Sequence, residues 1–175
     1  MPMRIEEITQ HHDRKSFDCG VPSLNLFLQQ QARQKAIKSI AKTYVACFDS
    51  EPETIAGYYT LSGYSVIVPP KFRHYKNYPH PLNAVKLARL AVHKQFQGKR
   101  TGEKLLVDAI YRTVLVANQV SAIGLFVDPT TQDVIPFYEQ YGFLMAESNH
   151  NEMWLPINTC QEVVSSFPVN TFPLS

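Results

Sequence analysis

The chain has 175 residues with a formal net charge of +2, of which 45% are hydrophobic and 18% charged; that size suits one α/β domain, since about 150 residues already bury roughly 70% of the surface of the unfolded chain. No segment approaches the roughly 20 uninterrupted apolar residues that cross a bilayer, and Met1–Gln10 is too polar and acidic for a signal peptide, so a soluble, cytoplasmic protein without a membrane partner is expected. Cys19, Cys47 and Cys160 are odd in number, widely spaced and free of any CxxC or Cys/His pairing, which indicates neither a disulfide framework nor a metal site.

Taken in chain order, Arg4–Thr9 reads as a short edge strand, followed by a polar segment with His11-His12 as a surface pair. Ser23 is placed as an N-cap, after which Leu24, Phe27, Leu28, Ala32 and Ala36 recur at helical spacing. Tyr44–Phe48 and Ile55–Ser62 are aromatic and branched, flank the acidic loop Asp49–Glu53, and predict an antiparallel hairpin. Val68–Leu82 contains Pro69, Pro70, Pro79 and Pro81 among basic and aromatic residues, a loop composition. Val85–Val92 is an apolar strand interrupted by Lys86 and Arg89; His93–Thr101 is a turn; Gly102–Asn118 is an amphipathic helix. Ile123–Val127 is a buried strand, Asp133–Gln140 a short helix, and Phe143–Ala146 with Glu152–Pro156 a last pair of strands. Residues 1–157 are expected as a single domain, with 158–175 as a weakly periodic, loosely attached tail.

The charges are unevenly spread. No Asp or Glu falls between Thr54 and Gly102, where Lys71, Arg73, Lys76, Lys86, Arg89, Lys94, Lys99 and Arg100 lie, nor between Cys19 and Phe48, where Arg33, Lys35, Lys38 and Lys42 lie. After Arg112 the chain has no Lys or Arg. Such a bias predicts a basic side and a polyanionic partner, and basic residues interleaved with His74, Tyr75 and Tyr78 suit RNA, whose phosphates take cations and whose bases take flat partners.

The strongest local signal is the strand–turn–helix unit Leu87–Gly102. A glycine-containing turn that opens a helix leaves backbone N–H groups converging on one spot, at the positive end of the helix dipole, which makes a pyrophosphate cradle. The segment resembles the acetyl-CoA binding motif of the GNAT acetyltransferases, (Gln/Arg)-x-x-Gly-x-(Gly/Ala), aligned on Gln97, Arg100 and Gly102, with Arg100 in place of the middle glycine. The resemblance implies a GNAT fold, a mixed and mostly antiparallel central sheet flanked by helices. It implies that Leu90, Ala91 and Val92 receive the pantetheine and acetyl carbonyl, and that Gln97, Gly98, Lys99, Arg100, Thr101 and Gly102 receive the phosphates. Phe137-Tyr138-Glu139-Gln140-Tyr141-Gly142-Phe143 resembles the Phe-Tyr-x-x-x-Gly-Phe segment of the same family, in which the tyrosine acts as general acid on the coenzyme thiolate; that role falls on Tyr138.

Phe17-Asp18-Cys19-Gly20 with the following helix, and Trp154-Leu155-Pro156-Ile157, resemble GNAT toxins of bacterial toxin–antitoxin pairs that acetylate aminoacyl-tRNA. This implies acetyl transfer to the α-amine of an amino acid esterified to tRNA, a homodimer, and a ribbon-helix-helix antitoxin as partner. Arg33, Lys35, Lys38, Lys71, Arg73, Lys76 and Arg89 are the expected tRNA contacts. Two other readings stand beside it: the same chemistry on a protein or small-molecule amine, and, because of Arg100, a non-catalytic scaffold that binds RNA or a protein partner.

Overall fold

In the computed structural model, which describes residues 2–67, 75, 78, 81–146, 151–168 and 171–172, alternation and helical periodicity resolve into a seven-stranded sheet in the order β1-β2-β3-β4-β5-β7-β6. The strands are β1 (Met3–Glu7), β2 (Lys42–Phe48), β3 (Gly57–Val66), β4 (Leu82–Val92), β5 (Gly124–Val127), β6 (Leu144–Met145) and β7 (Met153–Pro156). The pairs β1/β2, β2/β3, β5/β7 and β6/β7 are antiparallel, whereas β4 and β5 run parallel. Parallel neighbours need a long crossover, and helix α3 (Thr101–Val120) supplies it. The sheet is thus mixed and mostly antiparallel, with helices α1 (Pro22–Gln30), α2 (Ala32–Ile37), α3, α4 (Ile135–Glu139) and α5 (Ile157–Ser165).

The chain divides into two compact units, and β3, β4 and α3 each run through both. The first comprises Met1–Ser62 and Ala88–Ala109. Its core gathers Phe17, Phe27 and Leu28 with Val45, Ile55, Tyr58 and Ala91. The second comprises Gly63–Leu87 and Ile110–Ser175, around Val66, Ala84, Ile123, Phe126, Ala146 and Trp154. Within it, Gly124 is a close approach: a Cβ there would lie 2.3 Å from the Leu155 carbonyl oxygen, so only glycine lets β5 and β7 pair at this point.

Local differences from the sequence reading have identifiable causes. Helix α1 starts two residues earlier than a Ser23 cap would set it: Val21 is the N-cap, with no side-chain cap bond, and Pro22 opens the helix with its ring already at a helical φ. The helix is broken at Gln31 and resumes as α2, which ends at Ile37 with Lys38 as its cap, and Ser39, at φ 57°, is the left-handed stop that follows. His12 is buried, not a surface residue: its Nδ1 accepts from the Thr9 N–H at 2.9 Å and its Nε2 lies 3.0 Å from Glu6. The segment after Asn158, where periodicity is weak, contains most of α5, which seats the fully buried Cys160, and Phe172 stacks on Tyr111 at 4.3 Å between ring centroids.

Candidate active site

Strand β4 carries the site's backbone. Its ladder with β5 pairs Val85, Lys86 and Leu87 with Leu125, Phe126 and Val127, and β4 then continues as far as Val92, past the end of β5. Ala91 is buried, Leu90 and Val92 half-buried. After Val92 comes a short 3-10 turn, Lys94–Phe96, then Gln97–Arg100, then α3.

The turn has two left-handed residues, Gly98 at φ 74° and Arg100 at φ 63°. Arg100 therefore occupies the conformation that glycine adopts freely, at a steric cost of about 1–2 kcal/mol for a residue with a Cβ. This is why a turn lacking the family's middle glycine still closes. The Arg100 carbonyl accepts the opening bond of α3 from the Lys104 N–H at 3.2 Å, so the N–H groups of Thr101, Gly102 and Glu103 belong to the first turn, where no helical carbonyl reaches them. Thr101 is buried and its hydroxyl donates to the Phe96 carbonyl at 3.3 Å, which fixes the helix start against the turn. Gly98, Lys99 and Arg100 are exposed. Converging first-turn donors, a helix of 20 residues behind them and exposed cations beside them fit a pyrophosphate. Gln97, expected among the phosphate contacts, has its amide nitrogen turned inward, donating to the carbonyls of Val92 at 2.9 Å and Cys19 at 3.1 Å.

The expected tRNA residues fall into three groups. Arg89 lies with its guanidinium over the Phe27 ring, 3.7 Å from the centroid, and Lys35 reaches the same ring at 5.3 Å. Among the described residues neither forms an ion pair. Arg33 is half-buried on α2 beside a recess of about 440 Å³, and Lys38 is exposed at the end of that helix. Lys71, Arg73 and Lys76 lie outside the described residues.

Tyr138 belongs to the second unit, on α4, and is buried. Burial alone pushes its phenol up to about 12, so it stays protonated throughout the physiological range. Its ring meets Phe137 and Phe143 edge-on, and Gly142, at φ 97°, ends the helix as a left-handed residue.

The sequence reading missed one cluster in this unit. Lys86 pairs with Glu152 at 2.8 Å and Asp128 at 3.0 Å, lies over the Tyr64 ring at 4.6 Å, and Tyr64 donates to Glu152 at 2.6 Å. The Tyr64 phenol is pushed up to about 12, by burial first and then by its bond to Glu152. A lysine within an apolar strand is a signal that a buried partner exists, but nothing local says which carboxylate it is. Among the described residues, no group of three or more His, Cys, Asp or Glu is placed to hold a metal ion, and no helix is long and apolar enough to cross a membrane.

A strand that outruns its parallel neighbour and leads through a glycine turn into a helix N-terminus fits an acetyltransferase of the GNAT class, and the chain belongs to that family: residues 39–144 match the acetyltransferase (GNAT) domain. The chain is 28% identical over 166 residues to the tRNA-acetylating toxin of Mycobacterium tuberculosis (strain ATCC 25618 / H37Rv), covering 93% of this chain and 95% of the relative. It is similar to the structure of AtaT complexed with acetyl-methionyl-tRNAfMet, with a TM-score of 0.83 at 28% identity, over 93% of this chain and 99% of that one. AtaTR bound with acetyl-CoA matches with a TM-score of 0.78 at 29% identity, over 92% and 97%.

Proposed function

We propose that the chain transfers the acetyl group of acetyl-CoA to the α-amine of the amino acid on a charged tRNA, blocking translation as the toxin of a toxin–antitoxin pair. The observation that carries this reading is the placement of Arg89 and Lys35, cations that face no carboxylate among the described residues, on the same unit as the proposed coenzyme turn. Arg89 is on β4 itself, about 10 Å along the strand from Val92 at 3.3 Å per residue. A polyanion held there presents its end to the strand terminus where acetyl transfer takes place. Support comes also from the relative named a tRNA-acetylating toxin and from the AtaT complex with acetyl-methionyl-tRNA.

The first-turn N–H groups of α3 hold the pyrophosphate, and the Val92 N–H polarises the acetyl carbonyl. The attacking amine needs no strong base: α-amines titrate near 7.7–8.0 and an adjacent ester lowers that further, so a useful fraction is neutral at pH 7. Tyr138 donates its proton to the departing thiolate. The protein acts in the cytoplasm, as a homodimer, and is held inactive by a ribbon-helix-helix antitoxin; support for the partner comes from neighbouring structures in which AtaT is bound to the C-terminus of the antitoxin AtaR.

Incubation with radiolabelled acetyl-CoA and total charged tRNA tests the reading. The label is expected on the amino acid, released by mild alkaline deacylation as an N-acetylated residue. Label that reaches only added peptide or small amines, or no label at all, overturns it.

A further inference from the structure

The Phe17–Gly20 loop, read from the sequence only as a family resemblance, has a physical role. Four ties join it to the segment that leads from β4 into the coenzyme turn. The Lys94 N–H donates to the Asp18 carbonyl at 2.9 Å, and the Lys94 ammonium pairs with the Asp18 carboxylate at 2.8 Å. The Gln97 amide donates to the Cys19 carbonyl at 3.1 Å, and the Phe17 ring meets the His93 ring edge-on at 5.8 Å. The loop is itself held to α1: the Asn25 side chain accepts from the Cys19 N–H at 2.9 Å and donates to Asp18 at 3.0 Å. The other Asp18 bond, from the Gly20 N–H at 2.9 Å, closes the loop, where Gly20 takes φ 89°.

These ties converge on one peptide. The bond between Val92 and His93 has its N–H on the Ala56 carbonyl at 2.9 Å and its C=O on the Gln97 amide at 2.9 Å, so it cannot rotate without breaking one of them. Beyond Gln97 the turn is exposed, and a Cβ at Gly98 would meet nothing within 4 Å. The loop therefore braces the entry of the turn and leaves its phosphate side open.

We infer that Asp18 and Gln97 are positioning residues of the coenzyme site: Gln97 holds the Val92–His93 peptide and Asp18 anchors Lys94, so that the backbone donors of β4 and of the α3 start keep the spacing that acetyl-CoA spans. Asp18 is suited to this, because its hydrogen bonds to Lys94, Gly20 and Asn25 hold its carboxyl at about 2 and keep it ionised at every physiological pH. The inference rests on the proposed acetyl-CoA site but concerns residues that need not touch the coenzyme.

The test measures acetyl-CoA affinity by calorimetry on the full chain, beside KM for charged tRNA and the melting temperature. Gln97→Met, which loses both amide bonds, is expected to weaken acetyl-CoA about tenfold while KM for tRNA stays within twofold. Gln97→Arg, which can donate to both carbonyls, is expected to restore affinity. Asp18→Asn keeps the loop's own bonds and removes only the ion pair; a three- to fivefold loss of affinity is expected, and no further loss when Lys94→Ala is added. Should Gln97→Met fail to fold, the Asp18→Asn and Lys94→Ala cycle decides alone. Wild-type affinity in every variant, or equal losses for coenzyme and tRNA, overturns the inference. Absence of acetyl-CoA binding by the unmodified chain overturns the proposed function instead.

Discussion

Lys86 and Arg89 interrupt the same apolar strand, β4, and as letters in a sequence they are equivalent. In the structure they are opposites. Lys86 is largely buried and spent: Glu152, Asp128 and the Tyr64 ring surround its ammonium. Arg89, three residues nearer the C-terminal end of β4, lies over the Phe27 ring and faces no carboxylate among the described residues. The difference teaches that a cation's availability for an anionic substrate is decided by what the tertiary fold places beside it. A guanidinium stacked on a ring keeps its in-plane donors free for phosphate, whereas an ammonium between two carboxylates has none to offer.

The largest effect isolates the chemistry from both cations. Tyr138→Phe removes the proton donor alone and is expected to lower acetyl transfer by about 10²–10⁴-fold, with acetyl-CoA binding intact; full activity would exclude Tyr138 as the acid. The pH profile follows from the raised phenol: the protonated form is the active one, so its loss moves up with the shift to about 12. Transfer should therefore rise as the amine deprotonates and hold a plateau through pH 9, and a fall between pH 8 and 9 would contradict the assignment.

Next comes the spent cation. Lys86→Met leaves Glu152 buried without its counter-charge, and breaking a buried pair in this way costs about 3–5 kcal/mol. Adding Glu152→Gln removes the orphaned charge and keeps an acceptor for Tyr64, so most of that stability is expected back in a denaturant titration. Arg89→Ala gives the converse result, little change in stability and about a tenfold rise in KM for charged tRNA, the scale of a charge-assisted phosphate contact at roughly 1.5 kcal/mol. If Lys86→Met raised KM for tRNA while Arg89→Ala did not, the contrast between the two would be inverted.

Smallest is Arg100→Gly. It relieves a left-handed arginine but loosens the unfolded chain and discards one cation near the pyrophosphate. Stability and acetyl-CoA affinity should each change by less than about 1.4 kcal/mol, a factor of ten. Complete loss of coenzyme binding would make Arg100 an essential phosphate ligand.

The elements of the proposed coenzyme site were legible in the sequence because their signals are local: an apolar strand, a glycine turn and an amphipathic helix follow each other within Val85–Val120, and Gly142 announces its own left-handed φ. What escaped depends on distant partners. Glu152 lies 66 residues from Lys86, and Asp18 meets Lys94 only once α1 and β4 share a core, so no spacing rule relates either pair. Ser23 misled because Pro22 competes for the same helix start, and α5 escaped because its apolar face, Ile157, Cys160, Val163 and Val164, spans only nine residues.

For charged tRNA to be the substrate, Arg89 and Lys35 of the first unit must receive its phosphate backbone, a requirement open to direct test. Its direct measurement is the apparent KM for charged tRNA across a salt series from 50 to 200 mM, chosen because each neutralised phosphate contributes a slope of about 0.7–0.9 in log–log form. The unmodified chain should lose affinity steeply, and Arg89→Ala with Lys35→Ala should flatten the slope by about two contacts while acetyl-CoA affinity stays unchanged. A KM that does not move with salt, or a slope untouched by the double substitution, would contradict it.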